Sequence, residues 1–173
     1  MKKVLGILII SLLSACASQT TQPTAEVEDR SINAGDAAGE GNVNTIDSNG
    51  ANFHQLQDPN SILSKRSVYY DFDSYNVKDE YRELVSAHAN FLRDNSNAQV
   101  LLQGNTDERG SREYNLALGQ RRADSVKNMM TLTGARDEQI EAVSLGEEKP
   151  RAMDNDESSL GENRRTDIIY RGE

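Results

Sequence analysis

Between positions 68 and 170 the apolar residues recur with two periods that take turns along the chain, and this alternation leaves few architectures open. In SVYYDFD, residues 67–73, Val68, Tyr70 and Phe72 alternate with Tyr69, Asp71 and Asp73, predicting a strand with one apolar face and two carboxylates near its end. VKDEYRELVSAHANFLRDN then sets Val77, Tyr81, Leu84, Val85, His88, Phe91 and Leu92 at helical spacing. His88 has no second His or Cys in register, so it is expected to be a hydrogen-bonded core or boundary histidine. AQVLLQG, residues 98–104, is a short apolar run suited to a central strand. A second helix is predicted from 111 to about 132, and two further strands at IEAVSLG and RTDIIYR, with a polar loop at DNDESSLGEN before the last. Strand, helix, strand, helix, strand, strand predicts an α/β sandwich: two main helices packed on a small mixed β-sheet.

Upstream the periodicity stops. From 17 to 61 the chain is rich in Ser, Thr, Gln, Asn, Gly and Ala, with Glu26, Glu28, Asp29, Asp36, Glu40, Asp47 and Asp58 against a single base, Arg30. Such a segment buries too little apolar surface to offset its ordering entropy, so 16–62 is expected to be a flexible acidic linker with an end-to-end distance on the order of 35 to 40 Å. A weakly ordered piece around 53–63 is left open. At the start, MKKVLGILIISLLSAC has two lysines, an apolar stretch and small residues, the pattern of a secretory signal and too short for a membrane span. LSAC at 13–16 resembles the lipobox of bacterial lipoproteins. That resemblance implies that residues 1–15 are a signal peptide, that Cys16 carries the lipid, and, with Ala17 rather than Asp next to it, that the anchor sits in the outer membrane. It also accounts for the single cysteine of the chain.

The net charge of −9 argues against sequence-independent nucleic-acid binding, and two His with one Cys leave too few ligands for a zinc or thiolate centre. No cofactor is expected. The chemistry concentrates in GNTDERGSREYNLALGQRRADSVK, residues 104–127. Ser111 is a helix N-cap, with Glu113 in the first turn. Leu116, Gly119, Ala123, Val126 and Met130 form the stripe expected to face the sheet. Arg122 lies one residue off it, about 100° round, on a line with Asn115 and Leu118. Asp107, in the preceding loop, could fold over that line. From spacing alone two readings stay open: an Asp107–Arg122 salt bridge that closes the loop, or a shallow groove offering both charges to the ammonium and carboxylate of an amino-acid end.

TDERG at 106–110, Asn115, LALGQRRA at 116–123 and NRR at 163–165 resemble the OmpA-like peptidoglycan-binding domain, most closely its lipoprotein members in the Tol-Pal system. VYYDFD, AHANFL and GEEKP extend the likeness, so the domain is expected to span 63–173. The resemblance implies that Asp107 and Arg122 hold the meso-diaminopimelate of the peptidoglycan stem peptide. It further implies that Asn115 orders the loop, that Leu118 forms an apolar wall, and that Asp71 and Phe72 line the same groove. Arg121, Arg164 and Arg165 have two open readings, contact with sugar or peptide carboxylates or a solvated surface. TolB and other Tol proteins are the implied partners, and envelope integrity with membrane constriction at division the implied role. Asn105 departs from the pattern, since relatives often carry His after the Gly. The competing class is a wall hydrolase pairing Asp71 or Asp73 with Asp107 or Glu108, but those acids lie in polar stretches with no reason to stay protonated.

Overall fold

The computed structural model describes residues 53–172. The expected signal peptide at 1–15, the expected lipid site Cys16 and the expected linker up to 52 lie outside the described residues. The helices are α1 (His54–Gln57), α2 (Arg82–Asp94), α3 (Arg112–Thr133) and α4 (Glu157–Asn163), and the strands are β1 (Ser67–Tyr69), β2 (Val100–Asn105), β3 (Ile140–Gly146) and β4 (Arg165–Tyr170). Single 3-10 turns occupy Ile62–Ser64, Asp79–Tyr81 and Asp137–Gln139.

The sheet runs β1-β4-β2-β3, with β4 antiparallel to β1 and β2, and β2 parallel to β3. The β2–α3–β3 crossover explains the parallel pair, which a tight turn cannot connect. Helices α2 and α3 contact each other and share one hydrophobic cluster with Val68, Val100, Leu102, Ile168 and Tyr170. The predicted sandwich of two main helices on a small mixed sheet is therefore the observed one, and β2 is a central strand. His88 lies buried within it, its Nδ1 3.0 Å from the Tyr170 hydroxyl and its Nε2 2.9 Å from the Lys65 carbonyl oxygen.

Helix α3 lies directly on β2 because two glycines face each other there. A Cβ on Gly104 would sit 1.9 Å from the Gly119 carbonyl oxygen, and one on Gly119 would sit 2.3 Å from Ser144 Oγ. Any side chain at Gly104 would push the helix off the strand.

Four expectations are corrected. The first strand stops at Tyr69; the chain reverses at Phe72 and Asp73, the latter at φ 53, so Phe72 leaves the apolar face of Val68 and Tyr70 and stands 58 % exposed. Leu116 is 51 % exposed, and the buried face of α3 runs instead through Asn115, Leu118, Gly119 and Arg122 into Ala123, Val126 and Met130. Neighbouring positions differ by only about 100°, so a broad buried stripe takes in residues on either side of its centre. Within the loop expected at DNDESSLGEN, residues 157–163 form α4, capped by Asp156, whose side chain accepts from the Ser159 N–H at 3.0 Å. The folded body also begins before residue 63: Phe53 stacks on Phe91 with ring centroids 6.4 Å apart and meets Tyr170 edge-on, and Leu56 and Leu63 are buried in the same cluster.

Candidate functional site

The candidate site lies where the N-terminal turns of α3 meet the loops after β1 and β2. Ser111 starts the helix by accepting from the Tyr114 N–H at 3.2 Å, which fixes Asn115 and Arg122 beneath those loops. The two adjacent arginines separate here: Arg121 stays on the surface, while Arg122 is 0 % exposed. Its Nε donates to the Ser74 carbonyl at 2.8 Å, Nη1 to the Asn105 carbonyl at 2.8 Å, and Nη2 to the Asp71 carbonyl at 3.4 Å. The Tyr70 ring lies alongside, its centroid 5.0 Å from Cζ. No ion pair reaches Arg122 among the described residues, and burial lowers its pKa to about 10.

Asp107 is 4 % exposed and takes a different partner from either of those expected. Its Oδ2 accepts from Arg109 Nη2 at 2.6 Å and from Arg164 Nη1 at 3.0 Å, while Oδ1 accepts from the Arg109 N–H at 3.3 Å. Burial pushes this carboxyl up, but the hydrogen bonds from Arg109 and Arg164 outweigh it and leave the pKa below the ordinary carboxylate value. The internal Asp107–Arg122 salt bridge is not formed. Nor does the pair open outward into a shallow groove: both groups are sealed, Asp107 by Arg109 and Arg122 by the 71–74 backbone.

Asn115 is buried under the loop, donating from Nδ2 to the Asp107 carbonyl at 3.3 Å and to Glu147 Oε2. Leu118 is buried apart from the main hydrophobic cluster. Asp71 contributes its backbone carbonyl; its side chain is exposed and pairs with Lys78 Nζ at 2.8 Å. Phe72 lies under Arg109, whose Cζ is 4.1 Å from the ring centroid. Arg164 and Arg165, neighbours at the start of β4, point opposite ways: Arg164 reaches Asp107 and Glu157, while Arg165 Nε pairs with Asp167 at 2.9 Å. Asn105 donates to the Gln103 carbonyl at 2.9 Å, and its Oδ1, with Thr106 Oγ1 and Asn115 Oδ1, has no hydrogen-bond partner among the described residues.

The sequence reading missed Arg109. It stands two residues from Asp107 within TDERG, and the signal was its charge in a polar loop, shared with several other arginines. The result is a site with three guanidinium groups, Arg109, Arg122 and Arg164, around the carboxylates of Asp107 and Glu157. Of these, Arg122, Arg164 and Asp107 are buried and Arg109 and Glu157 exposed, so two guanidinium groups are buried beside one carboxylate. The excess favours an anionic ligand, and the hydrogen-bonding fork of arginine suits a carboxylate.

Comparison with known proteins adds the following. A profile of the OmpA family matches residues 69–164. A peptidoglycan-associated lipoprotein of Haemophilus influenzae is 38 % identical over 161 residues, covering 93 % of this chain and 92 % of that protein. One from Pasteurella multocida is 47 % identical over 104 residues, 60 % of this chain and 69 % of that protein. Among solved structures, the crystal structure of the peptidoglycan-associated lipoprotein from Burkholderia pseudomallei is 56 % identical, covers 67 % of this chain and 98 % of that one, and superposes with a TM-score of 0.66. The C-terminal domain of Helicobacter pylori MotB shares the fold at 17 % identity, with a TM-score of 0.57 over 61 % of this chain and 83 % of that one.

Proposed function

The chain belongs to the OmpA family, and from that premise we propose that it is a peptidoglycan-binding lipoprotein whose site takes the diaminopimelate end of a stem peptide. The free end of that residue is an amino-acid zwitterion. Its carboxylate goes to Arg122, the buried guanidinium without an ion-pair partner among the described residues, and its ammonium goes to Asp107. Arg122 is the observation that carries the reading. A buried cation whose hydrogen bonds go to backbone carbonyls, with only the Tyr70 ring beside it, is left with a net charge that a carboxylate ligand neutralises. Entry requires Arg109 to swing off Asp107 and the 71–74 segment to lift from Arg122, so binding and loop movement are coupled.

Around this site the rest of the proposal rests on the lipobox and on the family resemblance. Lipid on Cys16 anchors the chain in the outer membrane, the acidic linker spans to the wall, and the domain grips the wall without a covalent bond. TolB and other Tol proteins are its partners in envelope integrity and division. Asp107, bonded to both Arg109 and Arg164, is held ionised and so cannot be the proton donor that a glycosidase needs, and as nucleophile or base its oxygens are already taken by the two guanidinium groups.

The test is cosedimentation of the full chain with purified sacculi, paired with titration of a diaminopimelate stem peptide. Asp107→Asn and Arg122→Lys keep size or charge while removing one half of the zwitterion clamp, and each is expected to weaken peptide binding by at least about tenfold. Equal binding by both variants and the unmodified chain would overturn the clamp. Release of soluble muropeptides from the sacculi would overturn the binding role itself.

A further inference from the structure

The 71–75 segment uses the two sides of its chain differently. Its backbone faces inward, with the carbonyls of Asp71 and Ser74 accepting from Arg122. Its side chains face outward, and Phe72 and Tyr75 are 58 % and 44 % exposed. Across from them on α3, Tyr114 is 48 % exposed, and its hydroxyl donates to Asp73 Oδ1. The exposed aromatic residues among those described are these three and no others. The remaining aromatic rings are buried or half-buried, so the exposure is local rather than a general property of the domain.

Each ring on the loop is flanked by a cation. Arg109 Cζ lies 4.1 Å from the centre of Phe72, and Arg121 Cζ lies 5.8 Å from that of Tyr75. Arg109 also holds Asp107 at 2.6 Å, so Phe72 stands one side chain away from the proposed ammonium site. The patch combines flat apolar faces with donors and acceptors at their edges. A pyranose ring has the matching chemistry: one face of polarised C–H groups, which an electron-rich aromatic face attracts, and a rim of hydroxyl and N-acetyl groups that guanidinium and carboxylate bind.

We propose that Phe72, Tyr75 and Tyr114 form a saccharide platform beside the peptide clamp, on which the amino-sugar backbone of the wall polymer lies. This deepens the proposed function and rests on it: a stem peptide entering between Asp107 and Arg122 carries its sugars at the other end of a short flexible peptide, long enough to lay them back across the platform that borders that entrance. Asp73, held by Tyr114, and Arg121 then bind sugar hydroxyl and acetamido groups rather than the peptide.

The experiment titrates the full chain by calorimetry with the free diaminopimelate stem peptide and with the same peptide on its N-acetylglucosamine–N-acetylmuramic acid disaccharide. The disaccharide form is expected to bind roughly three- to tenfold more tightly. In Tyr75→Ala that ratio is expected to fall to about one, and in Tyr75→Phe, which keeps the ring, to stay near the original value. Circular dichroism of both variants guards against misfolding. Equal affinities for the two ligands in the unmodified chain would overturn the platform while leaving the clamp standing, as would a ratio that Tyr75→Ala does not change. Failure of the free peptide to bind at all would overturn the clamp and this proposal together.

Discussion

The two halves of α3 bury the same side of one helix against opposite kinds of matter. From Ala123 to Met130 the buried residues are hydrocarbon, packed on β2, β3 and α2. From Asn115 to Arg122 they include an amide and a guanidinium, and on either side of the Gly119 contact with the sheet these two lie under loops. The far half closes a core whose stability comes from area removed from water. The near half sequesters a guanidinium at a cost, which only specific hydrogen bonds offset. Stability is concentrated at one end and the proposed binding chemistry at the other, on a single rigid element that fixes the distance between them.

The contact joining the halves is where the contrast breaks most completely. Gly104→Ala would place a methyl carbon 1.9 Å from the Gly119 carbonyl oxygen, lifting α3 from β2 along its length. A loss of about 3 kcal/mol or more in urea unfolding is expected, with peptide binding lost as well, because Arg122 moves with the helix. Next in size is Met130→Ala in the hydrocarbon half. Met130 is fully buried, and its truncation is expected to cost about 3 kcal/mol while leaving the affinity of the folded fraction unchanged.

Arg122→Ala sharpens the contrast from the other side. It strips the Ser74, Asn105 and Asp71 carbonyls of a donor, so a stability loss of about 2 kcal/mol is expected, less than for Met130→Ala, since removing the guanidinium also relieves its burial penalty. Binding, by contrast, is expected to disappear. Thermal unfolding alongside peptide titration separates the two effects; a variant that binds normally would place the site elsewhere.

The same division explains what was legible before any coordinates. Periodicity reports burial of hydrocarbon, so α2, the far half of α3, β2 and β4 could be read directly, as could the burial of His88. It does not report burial of charge, which is why Leu116 was expected where Asn115 lies. Short segments were hidden for another reason. Helices α1 and α4 are below the length at which local propensity sustains a helix, and they persist through tertiary contacts such as Phe53 on Phe91 or through the Asp156 cap. Spacing singled out Asp107 and Arg122 and family resemblance implied a role for them, but neither gave their partners. Nothing in the order of residues distinguishes Arg109, which folds back on Asp107, from Arg112, which pairs with Glu148.

The smallest effect concerns protons. Asp107 has a pKa lowered in the fold by Arg109 and Arg164 against the opposing pull of burial. A carboxyl of this kind stabilises the native state fully above its unfolded pKa of about 4, and the contribution is lost as pH falls through the lower folded value. The difference in unfolding free energy between the unmodified chain and Asp107→Asn is therefore expected to be constant near neutrality and to shrink in acid. Arg109→Gln, which removes one of the two guanidinium partners, should show a shallower acid loss than the unmodified chain, because Arg164 alone lowers the pKa less. Met130→Ala has no titrating group to lose and should run parallel to the unmodified chain at every pH. Parallel curves for Asp107→Asn as well would mean that the carboxylate is no better held in the fold than in the unfolded chain, and the electrostatic distinction between the two halves of α3 would then rest on Arg122 alone.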